Sequence, residues 1–159
     1  MTTIHVAGGI GRAPTAMAAY DAALADANLH NYNLVAVSSV IPADATIEVV
    51  DRAPDLGAAG NQLTVVEGRS VVGPDAAAET AATAIAWATG PGPGLFYEAS
   101  GTDPESIETA ASRGLDAGCE LREWEFTDRD ALVSTVDADG SGHTAAVVLA
   151  AYGDSEPIC

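Results

Sequence analysis

Apolar and polar positions along the chain switch repeatedly between a period of two and a period near 3.6, and these switches mark out strands and two helices. Residues 3–6 read as a short strand, followed by Gly8-Gly9-Ile10-Gly11, a glycine run expected to be a tight turn. The alanine-rich stretch 16–28 predicts a helix, with Pro14 well placed for its first turn. Residues 33–41 predict one apolar strand, 47–50 a second and 62–72 a longer third, with Gly57 and Gly60 between the last two. The stretch 76–89 fits both periods: its alanines suit a helix, whereas Thr83, Ile85 and Trp87 alternate as in a strand, which is favoured for the second half. Gly90-Pro91-Gly92-Pro93-Gly94 is a loop, and 95–100 a strand.

Asp103, Pro104 and Glu105 give a cap, a proline at the first helical position and an acid in the first turn. That helix is expected to reach about Ala117, with Gly118 as its C-cap and Cys119 just beyond its end. Residues 120–126 then predict a strand, and 131–152 two strands joined by a hairpin turn through Asp137–Gly142. Runs of strands broken by two helices make an α+β pattern with a mainly antiparallel sheet. No repeat or linker divides residues 1–159, so a single domain is expected.

Composition narrows the functional classes. Hydrophobic residues make up 48% and aromatic ones only 5%, so the core is built from alanine and valine, and partner subunits are a natural source of further burial. The net charge is −17, lysine is absent and all six basic residues are arginine. Such a chain is not expected to bind nucleic acid by neutralising phosphates, nor an anionic membrane. Acid excess without lysine suits a halophilic cytosol, where molar salt screens carboxylate repulsion. No run approaches a membrane span, and Met1–Val6 has no signal-peptide character, so a cytoplasmic location is expected. Cys119 and Cys159 suggest no disulfide framework.

Three places carry candidate chemistry. The first is Ser38-Ser39, at the end of Asn33-Leu34-Val35-Ala36-Val37-Ser38-Ser39-Val40-Ile41-Pro42. The serines either end a strand or mark a site of self-cleavage. In the second case the Ser39 hydroxyl attacks the Ser38 carbonyl carbon and turns the amide into an ester. Elimination frees the Ser38 carboxylate and leaves dehydroalanine, which hydrolyses with loss of ammonia to a pyruvoyl group, a ketone built into the chain. The second is Asp21, which shares a helical face with Met17, Tyr20 and Leu24. A carboxylate in that apolar stripe either reaches its edge and meets solvent or an arginine, or is kept for a cationic ligand. The third is Glu98, which alternation puts on one strand face with Phe96 and Ser100, opposite Leu95 and Tyr97. An exposed Glu98 is ordinary; a buried one, its pKa raised by desolvation, is a usable general acid.

Other motifs fall short. The Gly8–Gly11 run lacks phosphate-loop spacing and a lysine. Asp137-Ala138-Asp139-Gly140-Ser141-Gly142 begins like a calcium loop, but Val148 stands where a bidentate glutamate is needed. His5, His30 and His143 are scattered, so no metal is assigned, and no Ser-His-Asp set assembles.

Four blocks in this order resemble the pyruvoyl-dependent arginine decarboxylase family: Tyr20–Leu24, Asn33–Pro42, Gly94–Gly101 and Gly118–Phe126. The resemblance implies a four-layer αββα sandwich with mainly antiparallel sheets, assembled as a homotrimer with active sites between neighbouring subunits. It implies cleavage between Ser38 and Ser39 into a small chain, 1–38, and a large chain, 39–159, with the covalent pyruvoyl cofactor made from Ser39. Glu98 would be the proton donor, and Asn33 would assist cleavage or hold the substrate. Asp21, with Met17 and Leu24, would bind the substrate, Asp21 taking its guanidinium. The implied reaction turns L-arginine into agmatine and carbon dioxide through a Schiff base. Another cationic amino acid is the alternative substrate, and an uncut trimeric ligand-binding or regulatory relative the alternative of a different class. His30-Asn31-Tyr32 is bulky and would narrow the pocket if it lined it.

Overall fold

The computed structural model describes residues 2–75 and 79–159. Among the described residues, nine strands form two mostly antiparallel sheets, and two helices pack on them. The five-stranded sheet has the order β2 (Asn33–Ala36), β5 (Gln62–Val72), β9 (His143–Tyr152), β1 (Thr3–Ala13) and β4 (Thr46–Val49). The four-stranded sheet runs β3 (Val40–Ile41), β7 (Gly94–Gly101), β6 (Thr80–Thr89) and β8 (Asp128–Asp137). Among the described residues, only the outer pairs β1–β4 and β2–β5 are parallel.

Side-chain alternation sorts the core into three levels. Ala7, Val65, Val147 and Leu149 turn outward from the five-stranded sheet to meet helix α1 (Ala16–Asp26). Val6, Val66, Val148 and Ala150 turn the other way and meet Ile85, Trp87 and Phe96 of the second sheet. Ala82, Ala84, Ala86 and Ala88 face Ile107, Ala111 and Leu115 of helix α2 (Pro104–Glu120). The ambiguity over 76–89 is thereby resolved for its larger part. From Thr80 onward the chain is a strand with bulky residues toward the other sheet and alanines toward α2; Ala76–Ala78 lie outside the described residues.

The glycine run is not a turn. Strand β1 continues through Gly8–Gly11 to Ala13 because α1 presses directly on it. A Cβ on Gly9 would lie 2.1 Å from the Ala23 carbonyl oxygen, and one on Gly11 2.4 Å from the Ala23 nitrogen. Thr15 caps α1 by accepting a hydrogen bond from the Ala18 amide at 3.1 Å, and the helix stops before Asn28, which turns at φ 61°. Its buried face is Ala19, Ala23 and Leu24, the alanines being short enough for that close approach.

Three further expectations are corrected. Gly118 is not a C-cap: α2 runs on to Glu120, so Cys119 lies in its last turn, and Gly118 makes room for the Tyr97 ring, 2.5 Å from where its Cβ would be. Residues 121–127 form no strand; they cross Gly90 so closely that a Cβ there would meet the Glu125 oxygen at 1.9 Å. Strands β8 and β9 are no hairpin, because they belong to different sheets. Eight consecutive residues of β9, Thr144–Ala151, are buried, which requires a central position, whereas β8 is a half-exposed edge.

Candidate active site

The predicted strand 33–41 is two strands in two sheets, and the serine pair is the crossing between them. On the near side, the Val37 amide donates to the Val65 carbonyl at 2.9 Å and so extends the β2–β5 ladder. On the far side, the Phe96 amide donates to the Ser39 carbonyl at 2.7 Å, beside the Val40–Leu95 pair of β3 and β7. The Ser38–Ser39 peptide is therefore anchored to one sheet at its start and to the other at its end. Ser38 is exposed and Ser39 half-buried. Tyr152 secures the next residue: its hydroxyl donates to the Val40 carbonyl at 2.9 Å, and its ring packs on Phe96 with centroids 6.1 Å apart. Burial pushes the pKa of this phenol up to about 12.

Glu98 lies two residues beyond Phe96 on β7, on the same face, about 7 Å along the strand. Phe96 is fully buried between the sheets, but Glu98 has reached the rim and is exposed. The alternation read from the sequence holds: Phe96 faces the other sheet, while Leu95 and Tyr97 face α2. Gly68 of β5 stands across from Glu98, and a Cβ on it would lie 3.4 Å from the Glu98 Cβ. Ser38, Ser39 and Glu98 are thus gathered at one rim of the inter-sheet space.

Asp21 is on the other side of the five-stranded sheet. Adjacent residues of β5 show this: Gly68 faces Glu98, whereas Glu67 faces α1 and accepts a hydrogen bond from Tyr20 at 2.5 Å. Asp21 does not sit in a buried stripe, because the helix buries its alanine face instead. Met17 is 70% exposed and Asp21 is exposed beside it, while Leu24 lies in the core under the helix. Asp26, at the end of the same helix, accepts the Ile10 amide at 2.9 Å. Asn33 opens β2, six positions before Ser39 and about 20 Å from it along an extended chain. Its side chain donates to the Gly60 carbonyl at 2.8 Å. Within one chain the structure therefore separates Ser39 and Glu98 from Asp21, Met17 and Asn33.

The Tyr20 cluster was not found from sequence. Besides its bond to Glu67, the Tyr20 ring lies under the Arg69 guanidinium, 4.6 Å from its centroid. Burial, reinforced by the bond to Glu67, raises the Tyr20 pKa. The signal available was the alternation of Glu67 and Arg69 in an otherwise apolar strand, both on the helix side. Tyr32 does not project outward: its hydroxyl accepts the Leu56 amide at 3.0 Å and its ring packs on the core beneath α1, leaving His30 as the exposed member of that bulky pair. No group of three or more metal-ligating side chains occurs among the described residues, and no helix there is long and apolar enough to cross a membrane.

An apolar strand that changes sheets at a serine pair, with a carboxyl on the adjoining strand, suits a self-processing enzyme carrying an in-chain carbonyl. A sequence model of the pyruvoyl-dependent arginine decarboxylase family matches residues 3–157, and the chain belongs to that family. It is 55% identical over 160 residues to a pyruvoyl-dependent arginine decarboxylase of Halobacterium salinarum, covering 99% of this chain and 98% of that protein. A second strain of that organism has a relative of the same name and the same identity. A pyruvoyl-dependent arginine decarboxylase of Thermococcus sibiricus is 33% identical over 141 residues, covering 87% of this chain and 88% of that protein. Kinship with Halobacterium proteins agrees with the acidic, lysine-free composition.

Proposed function

We propose that the protein is a self-processing carboxy-lyase that converts L-arginine to agmatine and carbon dioxide. The observation that carries this reading is the serine crossing. The Ser38–Ser39 peptide is held from both sheets, with its hydroxyls near solvent and Glu98 on the neighbouring strand. Cleavage there would give chains 1–38 and 39–159, with the pyruvoyl group arising from Ser39. When formed, that group supplies a ketone able to condense with the substrate amine and draw electrons as carbon dioxide leaves. The residues present fit it, since the Ser39 carbonyl already has a donor in the Phe96 amide.

The remaining roles belong to side chains. Glu98 returns a proton to the α-carbon from a protonated carboxyl. Asp21 takes the guanidinium in a charge-assisted contact, with Met17 along the substrate's aliphatic stem and Leu24 packing Asp21's helix in place. Asn33 assists cleavage or holds the substrate near the reacting carbon. Because Asp21 and Glu98 lie on opposite faces of one sheet, a single chain offers only half a site. That separation supports a homotrimer in which Asp21, Met17 and Asn33 of one subunit meet Ser39 and Glu98 of the next. The order of helix, sheet, sheet and helix supports a four-layer αββα sandwich as the protomer.

The test is a denatured intact mass of protein folded in high salt, paired with carbon dioxide release from labelled arginine. Two chains split after Ser38, the larger lighter by one ammonia than simple hydrolysis gives, with arginine turnover, are expected. A single uncut chain of 16.0 kDa without turnover would overturn the reading in favour of a ligand-binding relative.

A further inference from the structure

The Val40 carbonyl finds its hydrogen-bond donor in the other sheet. Strand β3 is two residues long and lies at the edge of the four-stranded sheet, paired with β7. Antiparallel strands alternate bonded and unbonded pairs. The bonded position is Ser39 opposite Phe96, whose amide donates to the Ser39 carbonyl at 2.7 Å. Val40, opposite Leu95, is therefore an unbonded pair, and its carbonyl points away from β7 toward the open edge. Tyr152 supplies the donor: its hydroxyl gives a proton to that carbonyl at 2.9 Å, and a carbonyl can only accept, so the direction is fixed. Tyr152 ends β9 of the five-stranded sheet and packs on the inter-sheet core that holds Val148 and Ala150. Its ring lies against Phe96, and burial favours the neutral phenol, so the donated proton is retained.

Before any cut, Ser39 is tied to the five-stranded sheet from both sides. Upstream, the Val37 amide donates to the Val65 carbonyl at 2.9 Å; downstream, Tyr152 holds Val40. Cleavage between Ser38 and Ser39 leaves Val37 on the small chain. Among the described residues, the Tyr152 bond is then the hydrogen bond that joins residues 39–41 to the five-stranded sheet. A two-residue edge strand ending at a free chain end is prone to fray, and Glu98 stands only two residues past Phe96 on the strand it would leave. We propose that Tyr152 is a positioning residue for the in-chain carbonyl: by holding Val40 it takes over from Val37 the tie to the five-stranded sheet once the chain is cut, and keeps residue 39 seated against β7. The inference rests on cleavage between Ser38 and Ser39.

The experiment compares hydrogen exchange of the Phe96 amide in processed protein and in the uncut Ser39→Ala chain, each with and without Tyr152→Phe. In processed protein Tyr152→Phe is expected to speed that exchange by about 2–10-fold, the equivalent of one hydrogen bond. In the uncut chain, where Val37 still holds, exchange should stay nearly unchanged. The kcat of processed Tyr152→Phe should fall by a similar factor with the KM for arginine unaltered. Ser134→Ala removes a comparable bond, from a buried hydroxyl to the Gly9 carbonyl at 3.1 Å, on β8 at the opposite edge of the sheet, and should alter neither exchange nor kcat. Equal acceleration in cut and uncut chains, or none in the cut one, would overturn the inference. If Tyr152→Phe does not fold or mature, the carbon-13 shift of the Val40 carbonyl decides: it should be the same in processed protein with Tyr152 intact as in the uncut Ser39→Ala chain, and loss of the hydrogen-bonded shift on cutting would overturn the inference. A chain with both serines that stays uncut in high salt would instead remove the cleavage reading, and this inference with it.

Discussion

The Phe96 amide donates to the Ser39 carbonyl at 2.7 Å, so the residue expected to become the cofactor is held by the strand that carries Glu98. One backbone bond sets the spacing between the proposed ketone and the proposed proton donor. It does not depend on the Ser39 nitrogen, which maturation would remove.

Replacing Ser39 by alanine removes the attacking hydroxyl and leaves the ladder intact, since Ser39 pairs through its backbone. A folded, uncut chain is expected by intact mass. Efficient cutting of Ser39→Ala would exclude the ester route.

Glu98→Gln keeps the size of an exposed side chain and loses its acid. Folding and cleavage should survive, while kcat should fall by about 10²–10⁴-fold. Single-turnover assays separate this loss from a defect in processing.

Asp21 is exposed and makes no contact needed by the core, so Asp21→Asn should leave stability unchanged. Losing a charged contact to the guanidinium should raise the KM for arginine by roughly 10–100-fold, with a smaller effect on kcat. Unchanged kinetics would move the guanidinium site elsewhere.

Gly9→Ala drives a methyl group into the Ala23 carbonyl, whereas nothing lies within 4 Å of a Cβ at Gly92. Overpacking of this kind costs about 1–3 kcal/mol. Urea unfolding in high salt should show a lower midpoint for Gly9→Ala and little change for Gly92→Ala.

Tyr152 gives an alkaline signature. Its folded-state pKa is raised from 10.0 to about 12, so folding favours the neutral phenol. That contribution is complete below pH 10 and disappears as pH climbs from about 10 to about 12. Tyr152→Phe should lower stability at neutral pH, by losing the bond to Val40, and flatten the decline above pH 10. Tyr20, also raised, should keep part of that slope, which Tyr20→Phe then removes.

The strands with two-residue alternation were readable in the sequence: β5 spans the expected 62–72, and Thr83, Ile85 and Trp87 identify β6. What escaped was set by contacts between elements. Local pattern cannot show that 33–41 changes sheets at Ser38, because both halves are apolar and extended. Nor can it show that Gly8–Gly11 is flattened under a helix, since a glycine run reads as a turn until the Ala23 backbone is known to lie on it. Asp21 was singled out by a stripe that weighs Met17 and Tyr20 above alanine, yet the helix buries alanines to approach β1. Glu98 and the serine pair were legible individually; their shared rim depends on the β3–β7 register, which two residues of strand do not announce.

Strand β1 decides what a cut after Ser38 would leave behind. It lies between β9 and β4 and shares ten register pairs with β9 alone. The first 38 residues would supply an inner strand, a helix and an edge strand to one sheet and nothing to the other. The nicked protein would then resemble a split protein whose fragments are interleaved. The small fragment could leave only by unzipping the middle of a sheet, so loss of chain continuity would cost the fold very little cohesion.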